Sequence, residues 1–101
     1  MAHIKYPGKP IYFKNEPDTQ IYFIQMCPPI GPIKIGIAKD IKNRLLSLQT
    51  GSPYDLKLLY YFNGDINYEK ELHKYWDDYR MNGEWFHPCD GILKFIEVYS
   101  K

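Results

Sequence analysis

The sequence has few cysteines and lacks any long hydrophobic run. Cys27 and Cys89 are the only cysteines among 101 residues, too few for a disulfide framework, and neither belongs to a CxxC pair of the kind that binds zinc. No apolar stretch approaches the ~18 residues that a membrane-spanning helix requires. The first residues also lack the apolar segment of a signal peptide. We therefore expect a cytoplasmic protein with no membrane partner.

A strong basic excess, the usual mark of a nucleic-acid-binding domain, is also missing, because the net charge is only +1. The charge is nevertheless unevenly distributed. Residues 1–50 carry seven Lys and Arg against three Asp and Glu, whereas residues 51–101 carry six against nine. One small domain with this distribution has room for both a basic surface and an acidic site.

Aromatic residues are abundant: ten Tyr, five Phe and two Trp make up 17% of the chain. This content favours a packed core over disorder, and the length is typical of one domain. Residues 1–19 contain three of the eight prolines and are predicted to form an N-terminal arm with one short strand at residues 11–13. The domain itself is predicted to span residues 20–101.

Hydrophobic patterning predicts three strands and three helices. The predicted strands are residues 21–26, 33–37 and 56–62. The predicted helices are residues 41–49, 66 or 67 to 79, and 92–99, with a short extended segment at residues 83–86. The short loop between the first two strands indicates an antiparallel hairpin, and Asp40 is a suitable N-cap. We expect an α/β domain of the α+β type, in which helices flank a small, mainly antiparallel, three-stranded sheet.

Some polar side chains are predicted to lie at the edge of the core. At about 100° per residue, Arg44 lies on the shoulder of its helix's apolar stripe, and Glu69 lies beside the next stripe, one turn before His73. A carboxylate at the edge of a core needs a partner, because unpaired burial costs several kcal/mol. Arg44 and Glu69 could form a structural ion pair, or their stems could lie along apolar surface. Alternatively, Glu69 and His73 have the spacing of metal ligands.

The second strand carries Lys34 and Gly36, which strand alternation places on one face. A glycine inside a strand often marks a position where a backbone or ligand approaches closely. From pattern alone, Lys34 is either an ordinary exposed lysine or a cation directed at a site. Tyr22 on the first strand is either a packing residue or a functional one.

Five short motifs, in order along most of the chain, resemble the GIY-YIG nuclease superfamily, in particular its branch in phage and related microbial or viral proteins. They are Gln20-Ile21-Tyr22, Lys34-Ile35-Gly36 and residues 44–53, 69–73 and 83–86. The sequence departs from the family pattern at two positions. Gln20 replaces the first glycine of GIY, and Lys34 replaces the tyrosine of YIG, which gives a KIG variant.

The resemblance implies hydrolysis of DNA phosphodiester bonds with one divalent cation, Mg²⁺ or Mn²⁺, on duplex or single-stranded DNA. By the same resemblance, Tyr22 is the general base, Arg44 holds the scissile phosphate, and Glu69 binds the metal. Lys34 is expected to lower the pKa of Tyr22 or to contact phosphate. His73 is expected to support Glu69, carry a proton, or pack.

A catalytically inactive module that binds nucleic acid or a protein on the same scaffold is the alternative, and near-neutral charge favours it. Exposed aromatic residues on such a module could stack on single-stranded bases. A third possibility is a homodimer that forms through an aromatic face and cleaves both strands of a duplex. Specificity could come from a partner protein.

Overall fold

The described part of the chain forms five strands and three helices. The structure is a computed structural model that describes Gly8, residues 17–27 and residues 30–100; the strand predicted at residues 11–13 lies outside these residues. The strands are β1 (Gln20–Cys27), β2 (Ile33–Ala38), β3 (Asp55–Asn63), β4 (Arg80–Asn82) and β5 (Trp85–Phe86). The helices are α1 (Ile41–Thr50), α2 (Ile66–Tyr75) and α3 (Asp90–Tyr99).

All five strands form one antiparallel sheet in the order β3-β1-β2-β5-β4. The α+β class and the β1–β2 hairpin are thus confirmed, but the expected number of three strands is wrong. The segment predicted as one short extended piece is part of a hairpin, which turns at Gly83 in the left-handed region (φ 57°). Its second strand pairs with β2, where Phe86 lies opposite Ile33. The sheet therefore extends by two strands beyond β2.

The alternation of β1 separates two apolar layers. Ile21 and Phe23 face a core that includes residues of α2 and α3, whereas Tyr22 and Ile24 face a smaller cluster with α1. The larger core also contains the aromatic side chains of Phe62, Tyr68, Trp76, Phe86 and Phe95. The sheet is thus covered by α2 and α3 on one face and by α1 on the other.

Helix α1 begins as predicted, because the Asp40 side chain accepts a hydrogen bond from the amide of Asn43 at 3.2 Å. Helix α2 begins at Ile66 as predicted but ends at Tyr75, not at Tyr79. A 3₁₀ turn follows over Asp77–Tyr79, where Arg80 pairs with Asp77 at 2.8 Å. Aspartate is a poor residue for helix interiors, so two in succession favour this ending.

Fewer side chains near the end of α2 reach the core than helical spacing predicts. Tyr75 and Tyr79, which helical spacing predicts on the buried stripe, are both 46% exposed. In α3, the spacing predicts that Leu93, Phe95 and Ile96 pack against the core. Phe95 is fully buried and Ile96 packs against the core as predicted, whereas Leu93 is exposed and Ile92 is fully buried. The buried face of α3 thus includes Ile92 in place of Leu93.

Candidate active site and metal centre

Tyr22 lies at the centre of the sheet, on the face covered by α1. It pairs with Gly36 on β2 and with Tyr61 on β3, and its side chain is only 1% exposed. A Cβ atom at Gly36 would overlap the phenol ring of Tyr22. The close approach expected at this glycine is therefore made by a tyrosine side chain rather than by a backbone or ligand.

Lys34 shares this face with Tyr22. Lys34 is the cross-strand partner of Ile24, which lies two residues along β1 from Tyr22, so the register places both side chains on one side of the sheet. The Lys34 Nζ is 2.9 Å from Glu84 Oε1 and lies 5.6 Å from the centroid of the Trp85 ring. With its side chain 15% exposed, Lys34 is a paired lysine rather than an ordinary surface lysine.

His73 reaches the edge of β2 from α2. The amide of Ile35 donates to the carbonyl of Glu84 at 3.0 Å, and the Ile35 carbonyl oxygen lies 2.7 Å from His73 Nε2. A carbonyl only accepts hydrogen bonds, so Nε2 is the donor in this contact and Nδ1 is the ring nitrogen that the contact does not use. The contact thus orients the imidazole and leaves one nitrogen able to bind a metal or a proton.

Glu69 lies one helical turn before His73 and is 4% exposed. Its Oε2 atom is buried and has no hydrogen-bond partner among the described residues. Burial raises the pKa of Glu69 to about 7, and the negative charge of Glu84 adds to this increase, while Lys34 and Lys70 oppose it. A buried carboxylate without a partner is costly to keep ionised unless a cation lies beside it.

Glu69, His73 and Glu84 form a group whose ligand-type atoms all lie within 4.8 Å of one another. Two carboxylates and an imidazole are ligands that Mn²⁺ accepts, and the carboxylates also suit Mg²⁺, which retains several waters. The buried, unpartnered oxygen of Glu69 makes this group suitable for a cation. Glu84 was not among the predicted site residues, although it lies in one of the motifs on which the resemblance rests.

Arg44 is exposed on α1, on the side of the sheet that Tyr22 faces. Its positive charge acts on Tyr22, because it favours the ionised phenol and so partly opposes the increase that other groups cause in the pKa of Tyr22. The described residues contain no ion pair between Arg44 and Glu69, so the structural pair considered from the sequence is not formed. The Arg44 guanidinium therefore does not neutralise the buried Glu69 carboxylate.

The pKa of Tyr22 is raised to about 12. Burial of the phenol is the main cause; Glu84 raises the pKa further, Arg44 opposes the increase, and Glu69 adds to it. The lowered pKa expected for Tyr22 is therefore wrong. The physical reason is that Lys34 pairs with Glu84 at 2.9 Å, so its charge is largely balanced, and desolvation dominates.

The fold thus brings the predicted site residues toward one region of the sheet. Tyr22 and Lys34 share a face, Arg44 acts on Tyr22, and the helix side chains of Glu69 and His73 meet Glu84 at the edge of β2. Over the residues that the structure describes, no helix is both long enough and apolar enough to cross a membrane.

Comparison with known proteins identifies the family. The profile of the T5orf172 domain matches residues 11–99, so the match begins within the predicted arm and continues to the end of α3. Neither the curated proteins nor the solved structures include a match to the chain. Because the matched segment covers most of the sequence, the chain belongs to the T5orf172 domain family.

Proposed function

We propose that this protein is a divalent-metal-dependent endonuclease of the GIY-YIG type that hydrolyses DNA phosphodiester bonds. The observation that carries the proposal is the buried Glu69 Oε2, which has no hydrogen-bond partner in the described chain and lies in a group with His73 and Glu84. The family agrees with this activity at a coarser level, since T5orf172 domains occur in phage and bacterial proteins and are often fused to nucleases.

Glu69 would hold the cation, together with His73 one helical turn further along α2. A bound Mg²⁺ or Mn²⁺ supplies positive charge that stabilises the leaving oxygen of the scissile phosphate. His73 contributes a fixed ring orientation, because its Nε2 is held by the Ile35 carbonyl at 2.7 Å. Such outer contacts normally improve both the geometry and the basicity of a histidine ligand.

Arg44 binds the scissile phosphate in this proposal. Its exposed guanidinium can present parallel N–H groups to two phosphate oxygens, an arrangement that lysine does not provide. The developing negative charge of the transition state strengthens these hydrogen bonds, so Arg44 accelerates the reaction more than it tightens DNA binding.

Tyr22 orients the attacking water and takes its proton. With a pKa of about 12, only about one phenol in 10⁵ is ionised at pH 7, so the resting group is a neutral phenol. A neutral hydroxyl can still accept a hydrogen bond from water and so orient it, and the small ionised fraction of the phenol takes the proton of that water. A cation that neutralises Glu69 would lower the pKa of Tyr22, because the negative charge of this carboxylate raises it.

DNA would approach the face on which α1 lies. A shallow hollow there is bordered by Lys39 and Lys42 and by the half-exposed ring of Tyr61. Cations can contact phosphates, and an exposed aromatic ring can stack on an unpaired base. These contacts also suit a module that only binds nucleic acid, which is the second candidate function.

A cleavage assay separates the two functions. Supercoiled plasmid and single-stranded DNA are incubated with the parent protein, with Glu69→Gln and with the control Glu71→Gln, in Mg²⁺, Mn²⁺ or EDTA. Glu71 lies on the same helix but is exposed, which makes it a matched control. We expect metal-dependent nicks with the parent and Glu71→Gln only. DNA binding without cleavage in every metal would instead support the binding module.

A further inference from the structure

The backbone fixes Glu84 close to the buried carboxylate of Glu69. Glu84 follows the left-handed turn at Gly83 and precedes β5, and its carbonyl accepts the Ile35 amide at 3.0 Å. This hydrogen bond continues the β2–β5 pairing, so Glu84 is held beside Ile35 of β2, the residue that His73 also contacts. The placement of Glu84 is thus a consequence of strand pairing rather than of a mobile surface loop.

The charges around this group are not balanced. Glu69 and Glu84 bring two carboxylates together, and Lys34 is ion-paired with only one of them, at 2.9 Å from Glu84 Oε1. Glu69 Oε2 remains buried without a hydrogen-bond donor in the described residues. Two neighbouring carboxylates with a single direct ammonium partner form a site that a divalent cation complements better than a lysine does.

We propose that Glu84 is a second carboxylate ligand of the cation that Glu69 holds, and that Lys34 is the counter-ion that Glu84 exchanges for this cation. The inference rests on the proposed function, because it assumes a metal at Glu69. In the metal-free protein, Lys34 neutralises Glu84 and competes with the cation for it. In the metal-bound protein, Lys34 is released on the face that it shares with Tyr22, where it can contact a phosphate.

The test measures Mn²⁺ binding without DNA, by the loss of the free-ion electron paramagnetic resonance signal. Glu84→Gln should weaken Mn²⁺ binding by roughly tenfold or more, since even an outer contact of a ligand is typically worth 10–100-fold. Lys34→Met should tighten binding by roughly three- to tenfold, because a competing positive charge is removed. Circular dichroism confirms that each variant is folded.

Two further sets of variants serve as controls. Glu84→Asp keeps the negative charge but shortens the side chain by one methylene, so it should weaken binding if Glu84 contacts the cation. Lys94 and Glu97 form another lysine–glutamate pair, at 3.7 Å on α3. Lys94→Met and Glu97→Gln should leave Mn²⁺ binding unchanged. This result would show that the loss of a lysine–glutamate pair elsewhere in the protein does not alter the affinity for Mn²⁺.

The possible results distinguish this inference from the proposed function. If Glu69→Gln loses Mn²⁺ while Glu84→Gln binds as the parent does, the inference is overturned and the metal at Glu69 stands. If Glu84→Asp binds Mn²⁺ as tightly as the parent does, Glu84 acts only through its charge at a distance, and the inference is overturned as well. Weaker binding by Lys34→Met would overturn the exchange. Parental binding by both Glu69→Gln and Glu84→Gln would overturn the proposed metal site together with the inference.

Discussion

Tyr22 and Gly36 lie opposite each other on neighbouring strands, and the phenol ring of Tyr22 occupies the space that a side chain at residue 36 would need. The absence of a Cβ atom at Gly36 thus allows an aromatic side chain to lie across the centre of the sheet. One glycine in this way determines the position of a tyrosine that we assign to catalysis.

Gly36→Ala should therefore destabilise the protein by about 1–3 kcal/mol, the usual cost of overpacking a core. We also expect lower cleavage, because the displaced phenol no longer lies where it can orient water. Urea unfolding and plasmid nicking measure the two effects. Gly51→Ala is the control, because a Cβ there meets nothing closer than 3.9 Å; equal losses in the two variants would contradict the explanation.

Glu69→Gln should stabilise the metal-free protein at pH 8 relative to the parent. The pKa of Glu69 is raised from 4.5 to about 7, so the folded state retains a proton that the unfolded state releases. The stability of the parent therefore falls as pH rises from 4.5 to 7, by at most about 3 kcal/mol, and this fall is absent from the variant. Urea unfolding in EDTA at pH 4.5 and 8 measures the difference.

Excess Mn²⁺ should reverse this order at pH 8, because a ligand that binds only the folded state stabilises it. The parent and the exposed-site control Glu71→Gln should gain stability, whereas Glu69→Gln should not. A parent protein whose unfolding midpoint is the same with Mn²⁺ and with EDTA would argue against a metal at Glu69.

Arg44→Ala should reduce cleavage by roughly 10²–10³, the size of effect seen when one transition-state donor is removed. DNA affinity should fall less, and the slope of log affinity against log salt should decrease by about one contact at most. Lys42→Ala, an exposed change on the same helix, serves as the comparison and should affect binding more than turnover. Equal losses of affinity and cleavage in Arg44→Ala would make Arg44 a binding residue.

Tyr22→Phe should nearly abolish cleavage while the protein stays folded and binds Mn²⁺. Nuclear magnetic resonance of ¹³Cζ-labelled tyrosine can follow the phenol directly, and the signal lost in Tyr22→Phe identifies it. We expect no ionisation of Tyr22 between pH 6 and 10, since its pKa is about 12. Glu84→Gln should lower that pKa, because the charge of Glu84 raises it. Parental cleavage by Tyr22→Phe across this range would end the assignment.

Lys34→Met should raise the pKa of Tyr22, which is the direction that the sequence suggested, but the structure supplies a different reason. Because Lys34 pairs with Glu84 at 2.9 Å, its removal leaves Glu84 without this counter-ion and should raise the pKa of Tyr22 further. The same ¹³C titration measures the shift in the metal-free protein. A lower pKa of Tyr22 in Lys34→Met would show that the Glu84 charge does not control the phenol.

Much of the secondary structure could be predicted from the sequence. Strands β1, β2 and β3 lie within a residue or two of their predicted bounds, and Asp40 caps α1 as expected. These features depend on local patterns of apolar residues, caps and turn residues, which a short segment contains in full. The early end of α2 was missed because helical periodicity continues in the sequence beyond the residue where the helix ends.

The sequence by itself determined which chemical groups are present. Its helical spacing placed Arg44 and Glu69 beside the apolar stripes of their helices, and its strand pattern placed Tyr22 on β1. Only the tertiary structure decided that Glu84 lies beside Glu69 and His73 and that Lys34 forms an ion pair with Glu84. It also decided that the pKa of Tyr22 rises. The reason is physical: the first two depend on the pairing of β5 with β2 about 50 residues earlier, and the last on desolvation in the packed core. Neither non-local pairing nor burial is encoded in any one segment of the chain.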